Sequence, residues 1–189
     1  MALKYFIKII KEMSFMNALT ATSLSIAVFG AIATWIALSP LAGFVLIWAI
    51  FIAWAAFAAL GADNQALKST VICGLFGVFV GWVGAYGFVA LPFAETLGVP
   101  VWAAIVVAVT AFAVVFASNL PIFGAVPASV LTYAATFAYL LQTDGKMSLV
   151  TLTSTEFENP LLIISASVIL GALFGKVSTL TAGVIAKEA

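Results

Sequence analysis

Histidine and arginine are absent from this 189-residue chain, cysteine occurs once, at Cys73, and charged residues make up only 7% of it. Without histidine and with a single thiol, a zinc, haem or Cys/His nucleophilic site has no ligand set to draw on, and no intrachain disulfide can form. The expectation is no metal, no cofactor and no enzymatic activity. Seven lysines are balanced by seven acids, so there is no basic surface to suggest nucleic acid. Acids are also missing from the middle of every apolar run, since Asp63 and Glu95 fall in connections. A proton or sodium relay through an intramembrane carboxylate has nothing to stand on, which weighs against secondary active transport.

What is present is apolar: 65% of the residues, against about 45–50% in soluble domains. That composition reads as an integral membrane protein. The length accommodates about six spans of roughly 20 residues each with short connections and no separate soluble domain. The predicted fold is all-α, a six-helix transmembrane bundle.

Residues 1–17 place Lys4, Lys8, Lys11 and Glu12 among Tyr5, Phe6, Ile9, Ile10 and Phe15, the pattern of a short amphipathic helix at a lipid surface. The following run, Ala18 to Leu38, exceeds the apolar core of about 7–15 residues usual in a signal peptide, so it reads as a retained first span. Residues 18–189 then form a single six-span domain. Ser39-Pro40 makes a tight connection to a second span, Leu41 to Leu60, and Gly61 to Gln65 is a polar turn. In the third span Gly74, Gly77, Gly81 and Gly84 share one stripe, and in the sixth Gly171 and Gly175 begin a second one. Glycine costs about 1 kcal/mol against alanine in an aqueous helix, so such rows predict close backbone packing, with each other or across a subunit boundary. Residues 142–159 form the one long hydrophilic loop, in which the alternation of Leu149 to Thr153 suggests a short strand or a lid.

The stretch from Asn119 to Leu141 breaks the apolar pattern with an uncapped amide, two prolines and a row of hydroxyls. Pro127 suits the first turn of a helix, which leaves the preceding residues as non-helical backbone. A helix from Pro127 to Gln142 would rise about 24 Å, short of the roughly 30 Å hydrocarbon core. Shifting the chain by 81 residues (121 minus 40) aligns Pro40 with Pro121, Gly43 with Gly124 and Val45 with Val126, and Gly77 to Gly81 matches Gly171 to Gly175. The predicted architecture is therefore a 3+3 inverted repeat with a proline-interrupted fifth span. With the N-terminus cytoplasmic, six lysines fall inside and only Lys146 outside, giving an N-in, C-in topology. The Ser39-Pro40 interruption would then face the periplasm and the Asn119 to Pro121 interruption the cytoplasm.

The run from Thr34 to Ser69, the glycine-rich third span, the stretch from Asn119 to Leu140 and the closing Ser167 to Val177 resemble the YcdZ-like family of uncharacterised bacterial inner-membrane proteins. The likeness extends over about residues 20 to 180. It implies a bacterial inner-membrane location and no role for any particular residue. Aquaporins and formate/nitrite channels share the 3+3 inverted plan, but the duplicated Asn-Pro-Ala signature and the pathway histidine are both missing here.

Ser129, Thr132 and Thr136 lie at i, i+3 and i+7, one hydroxyl face on an apolar cylinder. With Thr34, Asn119 and Tyr133 they offer hydrogen bonds along a narrow route gated by Phe123 and Trp35. The functional expectation is a channel or passive transporter for a small uncharged polar solute of the urea, ammonia or short-amide class. Threonine and serine also bond their own helix at the i−4 carbonyl, so the same stripe is equally an interface. The alternative is a structural or accessory subunit of a membrane complex. Expected partners are the lipid bilayer, further copies of the chain and the solute.

Overall fold

The computed structural model describes residues 17–186; the amphipathic segment expected over residues 1–17 lies outside the described residues except for Asn17. Six helices carry the architecture: α1 Ala18–Leu38, α2 Ile47–Ala59, α3 Asn64–Ala90, α4 Val99–Phe116, α5 Val126–Gln142 and α6 Pro160–Ile185. Among the described residues there is no β-strand. Four stretches are long and apolar enough to cross a membrane, namely α1, α3, α6 and α4 with its 3-10 extension to Asn119, as befits a membrane-embedded protein. α2 and α5 fall short of that length, at 13 and 17 residues, or about 20 and 26 Å.

Local chemistry sets the boundaries. The side chains of Asn17, Asp63 and Asn159 accept hydrogen bonds from the first-turn amides of α1, α3 and α6. α1 stops at Leu38 because Ser39 precedes Pro40 and is pushed out of the helical region. Pro127 and Pro160 sit in the first turns of α5 and α6, where a missing N–H costs nothing. Leu149–Thr153, expected as a short strand or a lid, forms no strand but a single helical turn. Ser148 caps it by accepting from the Thr151 amide at 3.3 Å, and five alternating residues without a neighbouring strand have no ladder to join.

Cross-helix contacts fix the direction of every helix. Gly171 meets the Ile50 carbonyl and Gly175 meets Phe57, so α2 and α6 run parallel; Gly77 meets Ser129 and Gly81 meets Thr136, so α3 and α5 do too. Ser25 bonds Ser178 while Phe29 contacts Phe174, which makes α1 antiparallel to α6. Gly84 against Thr110 and Trp102 against Phe88 make α4 antiparallel to α3. Gly74 meets Val168, and Trp82 reaches the Leu152 carbonyl just ahead of α6, so α3 and α6 are also antiparallel. Hence α1, α3 and α5 point one way and α2, α4 and α6 the other. The interruption at 39–46 lies at the far end of the bundle, and the one at 117–125 at the near end, where α1 begins.

α3 and α6 are the inner pair, and α2 and α5 press against them. α1 and α4 flank the outside: their apolar windows are 28% and 22% buried, against 44% for both α3 and α6. The central buried cluster combines small residues, Ala49 and Ala53 of α2 and Ala135 of α5, with Val78 of α3, Leu140 of α5 and Ile164 and Val168 of α6.

Candidate functional site

The glycine stripe of α3 and the hydroxyl face of α5 face each other. Lacking side chains, the glycines admit the α5 backbone: a Cβ on Gly77 would overlap the Ser129 carbonyl, and one on Gly81 would lie 2.9 Å from Cβ of Thr136. Gly74 meets the Thr132 methyl and Val168, and Gly84 meets Thr110 and Phe137. On the other side of the bundle Gly171 receives the Ile50 carbonyl and Ala53, while Gly175 receives Trp54 and Phe57. The two rows therefore do not face each other. The α3 row seats α5 and the α6 row seats α2.

Ser129, Thr132 and Thr136 are each 0% exposed. Ser129 Oγ donates to the Cys73 carbonyl at 3.0 Å, Thr132 Oγ1 to the Gly74 carbonyl at 2.7 Å, and Thr136 Oγ1 to the Thr132 carbonyl at 2.9 Å. Each hydroxyl has one proton, and each proton is placed on a backbone carbonyl. Such bonds contribute about 0.5–1.5 kcal/mol each, and the first two stitch α5 to α3. Tyr133 points away from this seam toward α4, where its hydroxyl lies 2.8 Å from Thr110 Oγ1. Thr110 commits its own proton to the Val106 carbonyl at 2.7 Å, so Tyr133 is the donor of that pair.

The other predicted residues scatter. Phe123 stacks on Phe76 of α3 with centroids 4.2 Å apart and closes the near end beside the hydroxyl seam. Asn119 is exposed and donates to the Phe116 carbonyl at 2.7 Å, which ends the 3-10 extension of α4 rather than pointing inward. Thr34 bonds the Gly30 carbonyl of its own helix at 2.8 Å and belongs to α1, on the α6 side of the bundle. Trp35, expected as a gate, is 65% exposed on the outer flank, because α1 buries its small residues Ala33 and Ala37 and turns its large ones outward.

Three features are not evident from the sequence. Ser167 of α6 accepts the Leu46 amide at 2.8 Å, so a buried hydroxyl satisfies the orphan donor where α2 begins. Cys73 of α3 touches the other interruption, its thiol 3.5 Å from the Ile122 carbonyl. Thr70, one turn before Gly74, is 0% exposed and its hydroxyl has no partner among the described residues. A polar residue in the small-residue row is the signal for both Thr70 and Ser167.

Over the far end the connection from α5 to α6 forms a strap. Trp82 Nε1 donates to the Leu152 carbonyl at 2.8 Å, Tyr139 to the Glu158 carbonyl at 2.9 Å, and Asn159 Nδ2 to the Ser154 carbonyl at 2.8 Å. Lys146 pairs with Glu158 at 2.9 Å. That hydrogen bond holds the Glu158 carboxyl below its usual range and the Lys146 ammonium above its own. No group of three metal-ligating side chains converges among the described residues.

The chain belongs to the family described as "Protein of unknown function (DUF1097)", which matches residues 23–183. The matched span runs from the first turns of α1 to the last turn of α6, so it takes in both interruptions and both glycine rows. No curated protein and no solved structure matches the chain significantly.

Proposed function

We propose that the chain is a channel or passive transporter of the bacterial inner membrane for a small uncharged polar solute, of the urea, ammonia or short-amide class, with its route closed in this conformation. One observation carries the reading: α2 and α5 are both too short to span alone, both follow a proline-bearing lead-in that is not α-helical (turns before α2, two short 3-10 turns before α5), and the two lead-ins lie at opposite ends of the bundle. Paired interruptions of this kind mark the solute site in inverted-repeat transporters, where irregular backbone survives beside protein or water.

On this reading α1–α3 and α4–α6 are inverted repeats and all six helices make up one membrane domain. Support comes from two offsets that recur. Gly77 and Gly171, and Gly81 and Gly175, are each 94 apart (171 minus 77, 175 minus 81), and each pair seats a short helix; Cys73 and Ser167, also 94 apart (167 minus 73), each contact an interruption, the first as donor and the second as acceptor. The glycines' partners Ile50 and Ser129, and Phe57 and Thr136, are each 79 apart (129 minus 50, 136 minus 57). The 81-residue register of the prolines thus slips to 79 within the short helices. The near end, rich in lysine, is assigned to the cytoplasm.

The route opens when α5 lifts from the α3 stripe and Ser129, Thr132 and Thr136 exchange carbonyl partners for solute. No chemical step and no cofactor is involved. Stopped-flow uptake into proteoliposomes tests this with urea, ammonia, glycerol and formate side by side. Changing Thr132 and Thr136 together to valine keeps the shape and removes two donors, each costing a bound solute roughly 1–3 kcal/mol. Flux should fall while the fold persists.

The second reading, a structural or accessory subunit assembling with copies of itself or other chains, is favoured by a specific fact: every hydroxyl of the α5 stripe already has a carbonyl partner. Absence of protein-dependent flux for all four solutes, together with a stable oligomer in detergent, would select it.

A further inference from the structure

Thr70 differs from the other buried hydroxyls of the bundle. Thr110, Thr132, Thr136 and Ser167 each donate to the carbonyl four residues back in their own helix, as hydroxyls in apolar helices commonly do. Thr70 does not bond the Ala66 carbonyl, and its fully buried hydroxyl has no partner among the described residues. A buried polar group left unpaired inside a membrane bundle is costly, and such groups mark solute pathways.

Helix register fixes where it lies. Ser129 bonds the Cys73 carbonyl and Thr136 meets Gly81, offsets of 56 and 55 between parallel helices (129 minus 73, 136 minus 81). Thr70 is therefore level with Ala125 and Val126, where α5 begins. Gly74 meets Val168 of the antiparallel α6, so one turn earlier Thr70 is level with the buried Ala172. In the next turn Cys73 packs with Ala56 of α2 and Ala128 of α5. Methyl groups dominate this level of the bundle, and no side chain caps the start of α5. An uncommitted hydroxyl proton thus lies level with the positive end of a helix, and both favour an acceptor oxygen over a cation.

Acceptors follow one turn along α3. The carbonyls of Cys73 and Gly74 hold the Ser129 and Thr132 protons while the seam is shut. When α5 lifts, both carbonyls lose those donors and open toward the gap that α5 leaves. Donor and acceptors are then about one turn, roughly 5.4 Å, apart along the helix. A solute with a carbonyl at one end and an NH2 group at the other spans that separation, whereas the single heavy atom of ammonia does so only at the limit of two hydrogen bonds in line. The lead-in to α5 is fastened to α3 beside this place by the Phe123 ring on Phe76 and by the Ile122 carbonyl against the Cys73 thiol.

We propose that Thr70 is the recognition residue in the near half of the route, donating to the carbonyl oxygen of urea or a short primary amide whose NH2 group donates to the Cys73 and Gly74 carbonyls. The inference rests on the route reading above and narrows its solute class: amides and urea are recognised, and ammonia is not. Ser129, Thr132 and Thr136 must each break a bond before donating to a solute. Thr70 has no such bond to break, so its unpaired proton is held ready for the solute at the expense of the closed state.

The test compares wild type, Thr70→Val and Thr70→Ser in proteoliposomes by stopped flow, with urea, acetamide and ammonia as solutes, and measures each melting temperature in detergent. Urea and acetamide flux should fall about tenfold or more in Thr70→Val and stay within about twofold of wild type in Thr70→Ser, which keeps the donor. Ammonia flux should be the same in all three proteins, and Thr70→Val should melt above wild type. A merely structural role would lower the melting temperature and move all three solutes together. Urea and acetamide flux that survives Thr70→Val but falls in the double valine change at Thr132 and Thr136 keeps the route and overturns the role of Thr70. An equal fall in ammonia flux overturns the recognition of amides. A lower melting temperature for Thr70→Val means that the hydroxyl has a partner in the protein, which overturns the site. Absence of wild-type flux for both urea and acetamide overturns the route reading and this inference with it.

Discussion

The backbone carbonyl of Ser129 occupies the space that a side chain on Gly77 would need. Across the bundle the Ile50 carbonyl occupies the corresponding space at Gly171. In both places a short helix is held by carbonyl-to-glycine contact, with the surrounding hydroxyls and small side chains fitted around it. A helix backbone yields less readily than the tip of a side chain, so these two positions tolerate addition least.

Gly77→Ala and Gly171→Ala should therefore each destabilise the bundle by about 1–3 kcal/mol through overpacking. Gly87→Ala is the control, because a methyl group there would have no neighbouring atom within 4 Å. Thermal unfolding in detergent decides it. Equal melting temperatures for the three variants would mean that α5 and α2 do not sit on these rows.

Thr70 predicts the opposite sign. Its hydroxyl is sealed without a partner among the described residues, a desolvation cost on the order of 1–3 kcal/mol that valine at the same shape does not incur. Thr70→Val should raise the melting temperature, whereas Thr132→Val, which removes a donor to the Gly74 carbonyl, should lower it. A destabilised Thr70→Val would show that this hydroxyl is paired in the bilayer.

The strap over the far end should respond to pH at both extremes and not between. Glu158 is lowered by its hydrogen bond to Lys146, so its contribution is complete above the ordinary carboxylate range and is lost as pH falls through the depressed value. Lys146 is raised by the same bond, so its contribution is complete below the ordinary lysine range and is lost as pH climbs through the elevated value. Hydrogen exchange of the 144–158 amides should stay slow, relative to intrinsic rates, across neutral pH in the wild type and quicken in Lys146→Gln. Protection that changes around pH 6 to 7 would point to a different latch.

Topology is open to direct labelling. In a Cys73→Ala background, a cysteine at Gly145 should react with an impermeant maleimide from outside intact cells, and one at Gln65 only after permeabilisation. Labelling of both from the same side would contradict the antiparallel placement of those two connections relative to the membrane.

Most helix boundaries are legible in the sequence because they are written locally; the start of α2 is not, since the apolar run read as a span from Leu41 opens in turns, with Gly43 at φ +85°, and becomes helical only at Ile47. Asn17, Asp63 and Asn159 cap, and Pro40, Pro127 and Pro160 punctuate, with signals that act within one turn. The glycine rows are legible as close contacts for the same reason. Their partners are not, because a missing side chain says that some backbone approaches and leaves open whether it belongs to α5, α6 or another copy. The hydroxyl face of α5 is legible as a face, and all three of its members are buried together. Where its protons go is not, since that depends on the facing carbonyls of Cys73 and Gly74, which no side-chain pattern encodes. The role of Ser167 is hidden because the amide it satisfies is 121 residues away.

That separation has a consequence for how the protein is made. α2, at 13 residues, is made well before α6 and cannot span hydrocarbon alone, yet the hydroxyl that receives its Leu46 amide and the glycines that seat it all lie on α6. Through most of translation α2 has to wait at the membrane, unseated. A ribosome-stalled chain ending before Pro160 should leave α2 accessible to protease or water-soluble probes that the chain carrying α6 excludes, so bundle closure waits on α6.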